Sequence, residues 1–145
     1  MLDLDLDQWS TSRLLLTATR LVENAWSKEL ADFGITHAGL TVLVVITLQG
    51  AGTQSEIARS VRVQPQTMIR ILDNLEYKGF VARVQTSVNQ KKQLFAITPA
   101  GSKVLHSTAE MEQNILPRDQ LPDGSVRRYL QQAIAELTRP RTRGM

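Results

Sequence analysis

Thr53-Gln54-Ser55-Glu56-Ile57-Ala58-Arg59-Ser60-Val61-Arg62-Val63-Gln64-Pro65-Gln66-Thr67-Met68-Ile69-Arg70-Ile71-Leu72-Asp73-Asn74-Leu75-Glu76-Tyr77-Lys78-Gly79 decides the fold. Its first four residues fit the T-x-x-E capping box, in which a hydroxyl and a carboxylate satisfy amides that a helix start leaves unpaired. Ile57, Ala58 and Val61 recur at helical spacing. Val61-Arg62-Val63 is a turn. Gln64-Pro65 restarts the chain, with Pro65 suited to a first helical position, where a missing N–H costs nothing. Met68, Ile71, Leu72 and Leu75 form one face of the second helix, and Gly79 stops it. Residues 80–85 and 92–97 are β-prone runs separated by the polar segment 86–91.

Two short helices, a tight turn and a polar outer face on the second helix make a helix-turn-helix. The hairpin behind it makes a winged one. The outer face carries Gln66, Thr67 and Arg70, with Gln64 at its start. Arginine reaches guanine edges, glutamine adenine edges, and threonine a thymine methyl or polar edge. Gln64 suits a cap more than a base reader. For Arg70, a surface pair with Asp73 or Asn74 is the competing structural role. The hairpin tip supplies Asn89, Gln90, Lys91 and Lys92, which suit phosphates or the minor groove. Arg59 and Arg62 are further candidates for backbone contacts.

These residues resemble the MarR family of winged-helix transcriptional regulators. The matching pieces, in family order, are Gln54-Ser55-Glu56-Ile57-Ala58, Thr67 through Glu76, Lys78-Gly79-Phe80-Val81-x-Arg83 and Ile97-Thr98-Pro99-Ala100-Gly101. The match is concentrated between about residues 35 and 101. It implies a two-fold dimer built from both ends of the chain, and a pseudo-palindromic operator read by two recognition helices. It further implies a regulator, most often a repressor. Arg83 matches the family's strand arginine, either as a DNA contact or as a brace for the wing. The family's wing commonly carries Asp-x-Arg. Here the tip reads Asn89-Gln90-Lys91, which exchanges a rigid guanidinium fork for a mobile point charge. Arg62 stands where many such turns have Gly, so the turn need not use a left-handed residue.

Many members of that family bind a small aromatic or phenolic effector between the dimer helices and the DNA-binding lobe. Trp26, His37 and Thr41 lie on the matching helices. Trp26 would stack on a ring and His37 would hydrogen-bond a carboxylate or phenol. Packing in the dimer interface is the competing role for all three, and the preferred one.

Composition narrows the class. The 145 residues are 42% hydrophobic but only 5% aromatic, so one domain with an aliphatic core is expected. There is no cysteine, which removes disulfides, thiolate zinc sites and thiol redox sensing. Net charge is +3, distributed unevenly. Residues 1–52 hold three basic and six acidic side chains, residues 53–98 seven and three, and residues 99–145 seven and five. Positive charge is thus densest in the winged helix, as a phosphate backbone requires. No signal peptide is visible, and the longest apolar stretch, 40–48, is too short to span a bilayer. A cytoplasmic protein without membrane contact is expected.

The flanks read as helices. A long one is expected from about residue 8 to 32, with Leu14, Ala18, Leu21, Val22, Ala25 and Leu30 as its stripe, ended by Gly34. Thr36 caps the next, with Ile35 and Leu40 placed as a hydrophobic staple. Val42 to Ile46 is a β-branched run. The cap, the staple and the resemblance make it a buried helix to about residue 48, and a short strand near Thr53 is a further expectation. Thr98-Pro99 opens a helix to about Ile115, with Ala100, Val104, Met111, Ile115 and Leu116 apolar. Residues 125–137 form a last helix, and 139–143 a basic tail.

The expected fold is therefore mainly α with a small β-hairpin wing. A winged helix-turn-helix lobe (about 36–98) sits within one domain of residues 1–145, and helices 8–32 and 99–138 dimerise. Enzyme constellations are missing from the sequence. His37 and His106 each lack a nucleophile or carboxylate at useful sequence spacing, and no phosphate loop or nucleophile elbow appears. No catalytic group, metal or cofactor is expected. A winged helix used only for protein contacts is the competing function, and would favour an apolar patch where Gln66, Thr67 and Arg70 stand.

Overall fold

The computed structural model describes residues 5–85, 92–116 and 124–140. The chain divides into two units, Met1–Ile115 and Leu116–Met145. The first contains α1 (Thr11–Leu30), α2 (His37–Gln49), α3 (Gln54–Val61), α4 (Pro65–Tyr77), β1 (Val81–Gln85), β2 (Gln93–Ile97) and α5 (Pro99–Asn114). The second contains α6 (Ser125–Thr138). The order and type of these elements agree with the sequence reading.

α1 starts later than the apolar stripe suggests. A 3-10 turn, Leu6–Gln8, precedes it, and Ser10 caps it by accepting a hydrogen bond from the Arg13 amide at 3.3 Å. The hydroxyl is a better N-cap acceptor than the glutamine at position 8. A second 3-10 turn, Ala31–Phe33, ends at Gly34.

α2 lies at the centre of the first unit. Thr36 caps it by accepting from the Gly39 amide at 3.1 Å, and both staple residues, Ile35 and Leu40, are buried. Leu40, Val42, Leu43 and Ile46 are buried, and the helix meets α1, α3, α4, α5 and β2. Each such aliphatic side chain contributes roughly 1.5–3 kcal/mol on removal from water. Burial on several sides outweighs the modest helix preference of its β-branched residues. Met68, Leu72 and Leu75 of α4, Ile57 and Ala58 of α3, Val81 and Phe95 complete the core. The strand expected near Thr53 is reduced to a single antiparallel bridge, Gly52 with Phe95.

Three helix ends share one hydrogen-bond pattern. At Gly34 and Gly79, the glycine amide and the next amide fold back onto carbonyls three and five residues earlier. The pairs are Gly34 to Ala31 and Ile35 to Leu30, then Gly79 to Glu76 and Phe80 to Leu75. At the turn between α3 and α4 the pattern recurs, Arg62 to Arg59 at 3.3 Å and Val63 to Ala58 at 3.1 Å. This is the Schellman motif, whose pivot takes a left-handed backbone. Arg62 accordingly sits at φ 63°, ψ 44°. The turn does need a left-handed residue, contrary to the expectation from its lack of glycine. The six-to-one bond and the Val63–Ala58 apolar pairing fix the handedness whatever the residue. A side chain there costs about 1 kcal/mol. Arg62→Gly is therefore expected to raise unfolding free energy by about 1 kcal/mol in urea titration, with an unchanged m-value.

The hairpin pairs Val81 with Ile97, Arg83 with Phe95 and Gln85 with Gln93. Its base is locked to α5. Thr98 donates from its hydroxyl to the Gly79 carbonyl at 2.6 Å and from its amide to Phe80 at 3.1 Å, and its hydroxyl accepts from the Gly101 amide at 3.1 Å. Gly101 lets α5 touch the Phe80 carbonyl: a Cβ there would lie 2.2 Å from that oxygen. Along α5, Val104 and Met111 pack on the core as expected, whereas Ala100 is exposed beside the capping turn. Thr108, fully buried, turns its hydroxyl inward to donate to Val104 and Leu105 carbonyls.

α1 and α6 leave apolar surface open. Of α1's stripe, only Leu30 is buried, while Leu14 is 36% and Leu21 59% exposed. In α6, Val126, Tyr129, Ile134 and Leu137 are all exposed. Among the described residues, no single helix is long and apolar enough to cross a membrane.

Candidate nucleic-acid interface

α4 has three edges with different chemistry. Met68, Leu72 and Leu75 face the core. Gln66, Thr67 and Arg70 are exposed, together with Gln64 at the helix start. Gln64 is the N-cap by position but makes no side-chain capping bond, so its amide is not spent on the helix end. The turn below is held by Gln54, whose side-chain amide donates to the Pro65 carbonyl at 3.3 Å. Arg70 makes no ion pair among the described residues. The intrahelical partner that would have occupied it, Asp73, faces Arg83 at 3.5 Å.

Arg83 is committed within the lobe. Its Nε donates to Glu76 at 2.8 Å and its Nη1 to Gln93 at 2.7 Å, and its guanidinium lies 5.3 Å from the centre of the Phe95 ring. One side chain thus ties α4 to both arms of the hairpin. It also neutralises the two carboxylates of α4, which would otherwise repel an approaching phosphate. The pairs are partly exposed, so each contributes less than about 1 kcal/mol after solvent screening. Arg83→Met is expected to lower unfolding free energy by only about 1 kcal/mol, read by urea titration. A loss above about 3 kcal/mol would mean that the network is part of the core. The sequence offered both roles for Arg83; the register opposite Phe95, which places its guanidinium, is not visible in a single strand.

Of the wing residues, Lys92 is exposed just before β2, and Asn89 and Lys91 lie outside the described residues. Arg59 and Arg62 are exposed on the helix-turn-helix, with Arg62 Nη1 donating to the Ser60 carbonyl at 3.3 Å.

Trp26 and His37 come together, and Thr41 stands one turn further along α2. The Trp26 and His37 rings stack with centroids 6.1 Å apart and planes at 23°. Thr41 donates its hydroxyl to the His37 carbonyl at 3.0 Å. His37 has a carboxylate neighbour after all, Glu23 at 3.6 Å from its Nε2. The α1–α2 packing supplies that partner, which sequence spacing alone does not reveal. The indole N–H of Trp26 is buried without a hydrogen-bond partner among the described residues. Among those residues no cluster of His, Cys, Asp or Glu has the geometry to hold a metal ion.

The helix-turn-helix with its exposed polar face, followed by a braced hairpin, defines a winged-helix lobe. Residues 35–92 match the model of the MarR family. None of the curated proteins matches the chain in sequence. Its fold is similar to that of MepR of S. aureus in a DNA complex, with TM-score 0.76 and 17% identity over 89% of this chain and 99% of that one. The transcriptional regulator SlyA is similar at TM-score 0.79 and 19% identity, over 89% and 94% of the chains. Bordetella bronchiseptica BpsR, whose DNA binding is regulated by 6-hydroxynicotinic acid, is similar at TM-score 0.71 and 17% identity, over 86% and 97%.

Proposed function

We propose that this chain is a homodimeric, cytoplasmic repressor that occupies a pseudo-palindromic operator. The observation that carries the reading is the outer face of α4, where Gln66, Thr67 and Arg70 are exposed, Arg70 makes no ion pair among the described residues, and the helix's acids are masked by Arg83. Gln64, Gln66, Thr67 and Arg70 read bases. Asn89, Lys91 and Lys92 contact the backbone or minor groove. Arg83 holds the wing against the recognition helix. The exposed apolar residues of α1 and α6 support a two-fold dimer in which residues 1–145 act as a single unit. Such a dimer sets two recognition helices about one DNA turn apart.

A small aromatic effector relieves binding in this reading. Trp26, whose indole N–H has no partner among the described residues, and His37 provide a stacking face and a donor, and Thr41 stands on the same helix as His37. The regulated DNA binding of BpsR by an aromatic acid is consistent with such a site. DNA and effector would favour different lobe separations, and binding one would lower affinity for the other.

The test is binding of the purified protein to the DNA just upstream of its own coding region, against scrambled DNA, across a salt series. Preferential binding with a steep negative slope of log K on log salt supports the reading. Weak, equal binding to both fragments counts against that operator. If unbiased selection from random DNA also yields no preferred sequence, the lobe serves protein contacts instead.

A further inference from the structure

Three side-chain ties hold α4 among the described residues, each to a different element. Gln54 of α3 fastens its first turn through the Pro65 carbonyl. Arg83 fastens its wing side through Asp73 and Glu76. The third tie stands at its far end. Lys78, the C-cap residue, donates from its ammonium to the Gly34 carbonyl, 44 residues away in the chain.

Gly34 closes the run of helix that begins at Thr11. α1 passes directly into the Ala31–Phe33 turn, since Ala31 keeps a helical backbone, and Gly34 ends that turn in the left-handed conformation. Its carbonyl therefore stands at a helix C-terminus, where acceptors are left over. Lys78 follows the last turn of α4, which carries the negative end of that helix's dipole. One ammonium thus serves two helix ends, that of the flanking helix and that of the recognition helix.

The other two ties lead to α3 and the hairpin, which belong to the same lobe as α4. The Lys78 bond alone among the three reaches the α1 run. Leu30 and Ile35 supply the apolar packing at this corner. Such packing is non-directional. Beside the bond the structure is open, with a groove of about 310 Å³ lined by Ser27, Ala31, Gly34, Ile35, Thr36 and Lys78. No close-packed contact duplicates the directional tie there.

We infer that Lys78 is a positioning residue for DNA reading: its bond to Gly34 sets the angle of α4 against α1. The inference rests on the dimeric, operator-binding function proposed above. α1 carries the exposed apolar stripe offered to the second copy, so a tilt of α4 on α1 counts twice across the two-fold. It changes the separation of the two recognition helices. Lys78 touches no DNA in this role.

The test uses spacing. An operator selected from random DNA by the wild-type protein is altered by one base pair inserted or removed between its half-sites. That moves one half-site by roughly 3.4 Å and about a tenth of a turn. Affinity for native and altered spacing is measured across salt for wild type, Lys78→Met, Lys78→Gln and Lys78→Arg, with urea unfolding to check each fold. The ratio of native- to altered-spacing affinity is expected to fall about fivefold in Lys78→Met, the scale of one exposed charge-assisted hydrogen bond. Lys78→Arg keeps the ratio, and base preference within each half-site stays as in wild type. Lys78→Gln, a neutral donor, falls between them and carries the test if the Met variant does not fold. An unchanged ratio in the folded neutral variants would overturn the inference. So would a salt slope smaller by about one, which would make Lys78 a phosphate contact. Both outcomes leave operator binding standing. A wild-type protein that binds only single half-sites, or no preferred sequence, would overturn the two readings together.

Discussion

Gly101→Ala is expected to destabilise the protein by about 2–4 kcal/mol, although alanine is the better helix former. Inside an exposed helix the same change would gain close to 1 kcal/mol. Here the added methyl would stand 2.2 Å from the Phe80 carbonyl and 2.8 Å from Ile97 Cγ1. A backbone oxygen cannot rotate away as a side chain can, so α5 must retreat from the hairpin base. That retreat also strains the bonds from Thr98 to Gly79 and Phe80. Overpacking of this kind costs roughly 1–3 kcal/mol, and weakening a hydrogen bond adds about 1. Thermal and urea unfolding would measure it. A neutral or stabilising result would show that α5 shifts freely on the lobe. Gly101→Ser should behave alike, since the clash is at Cβ.

Arg70→Ala is expected to lower operator affinity by about 1–3 kcal/mol and to relax preference at one base position in each half-site, with little change in stability. No ion pair among the described residues is lost with it, so the folded chain should barely register the change. Binding to a panel of single-base operator variants is the measurement. An equal loss for every sequence would make Arg70 a phosphate contact, which the salt slope would reveal as a drop of about one.

The sequence was most legible where structure is local. Thr36, Thr53 and Thr98 all cap their helices by accepting from the amide three residues on, because a cap depends only on the next few residues. The stop at Gly79 was legible for the same reason. Handedness at Arg62 was not, because the six-to-one bond across the turn, not the residue type, selects it. Arg83 illustrates the larger limit. Its partners come from α4, β2 and the ring opposite, and they converge only once the hairpin register is set. The pairing imagined between Arg70 and Asp73 was spatially possible, but the tertiary partner won. His37 and Glu23 met in the same way, across two helices. The stripe on α1 was read correctly as apolar, yet its mostly exposed state shows that periodicity reveals a buried face without saying which surface buries it.

The stacked pair on α1 and α2 has an optical consequence. The chain has two tryptophans, and Trp26 keeps its indole against an imidazole, its N–H without a hydrogen-bond partner among the described residues. Indole emission responds both to a new hydrogen bond at nitrogen and to displacement of a neighbouring ring. A Trp9→Phe variant would therefore carry a built-in fluorophore at the junction of the flanking helix and the DNA-binding lobe. Its spectrum would report whether the proposed effector binds, without any label on the helix-turn-helix.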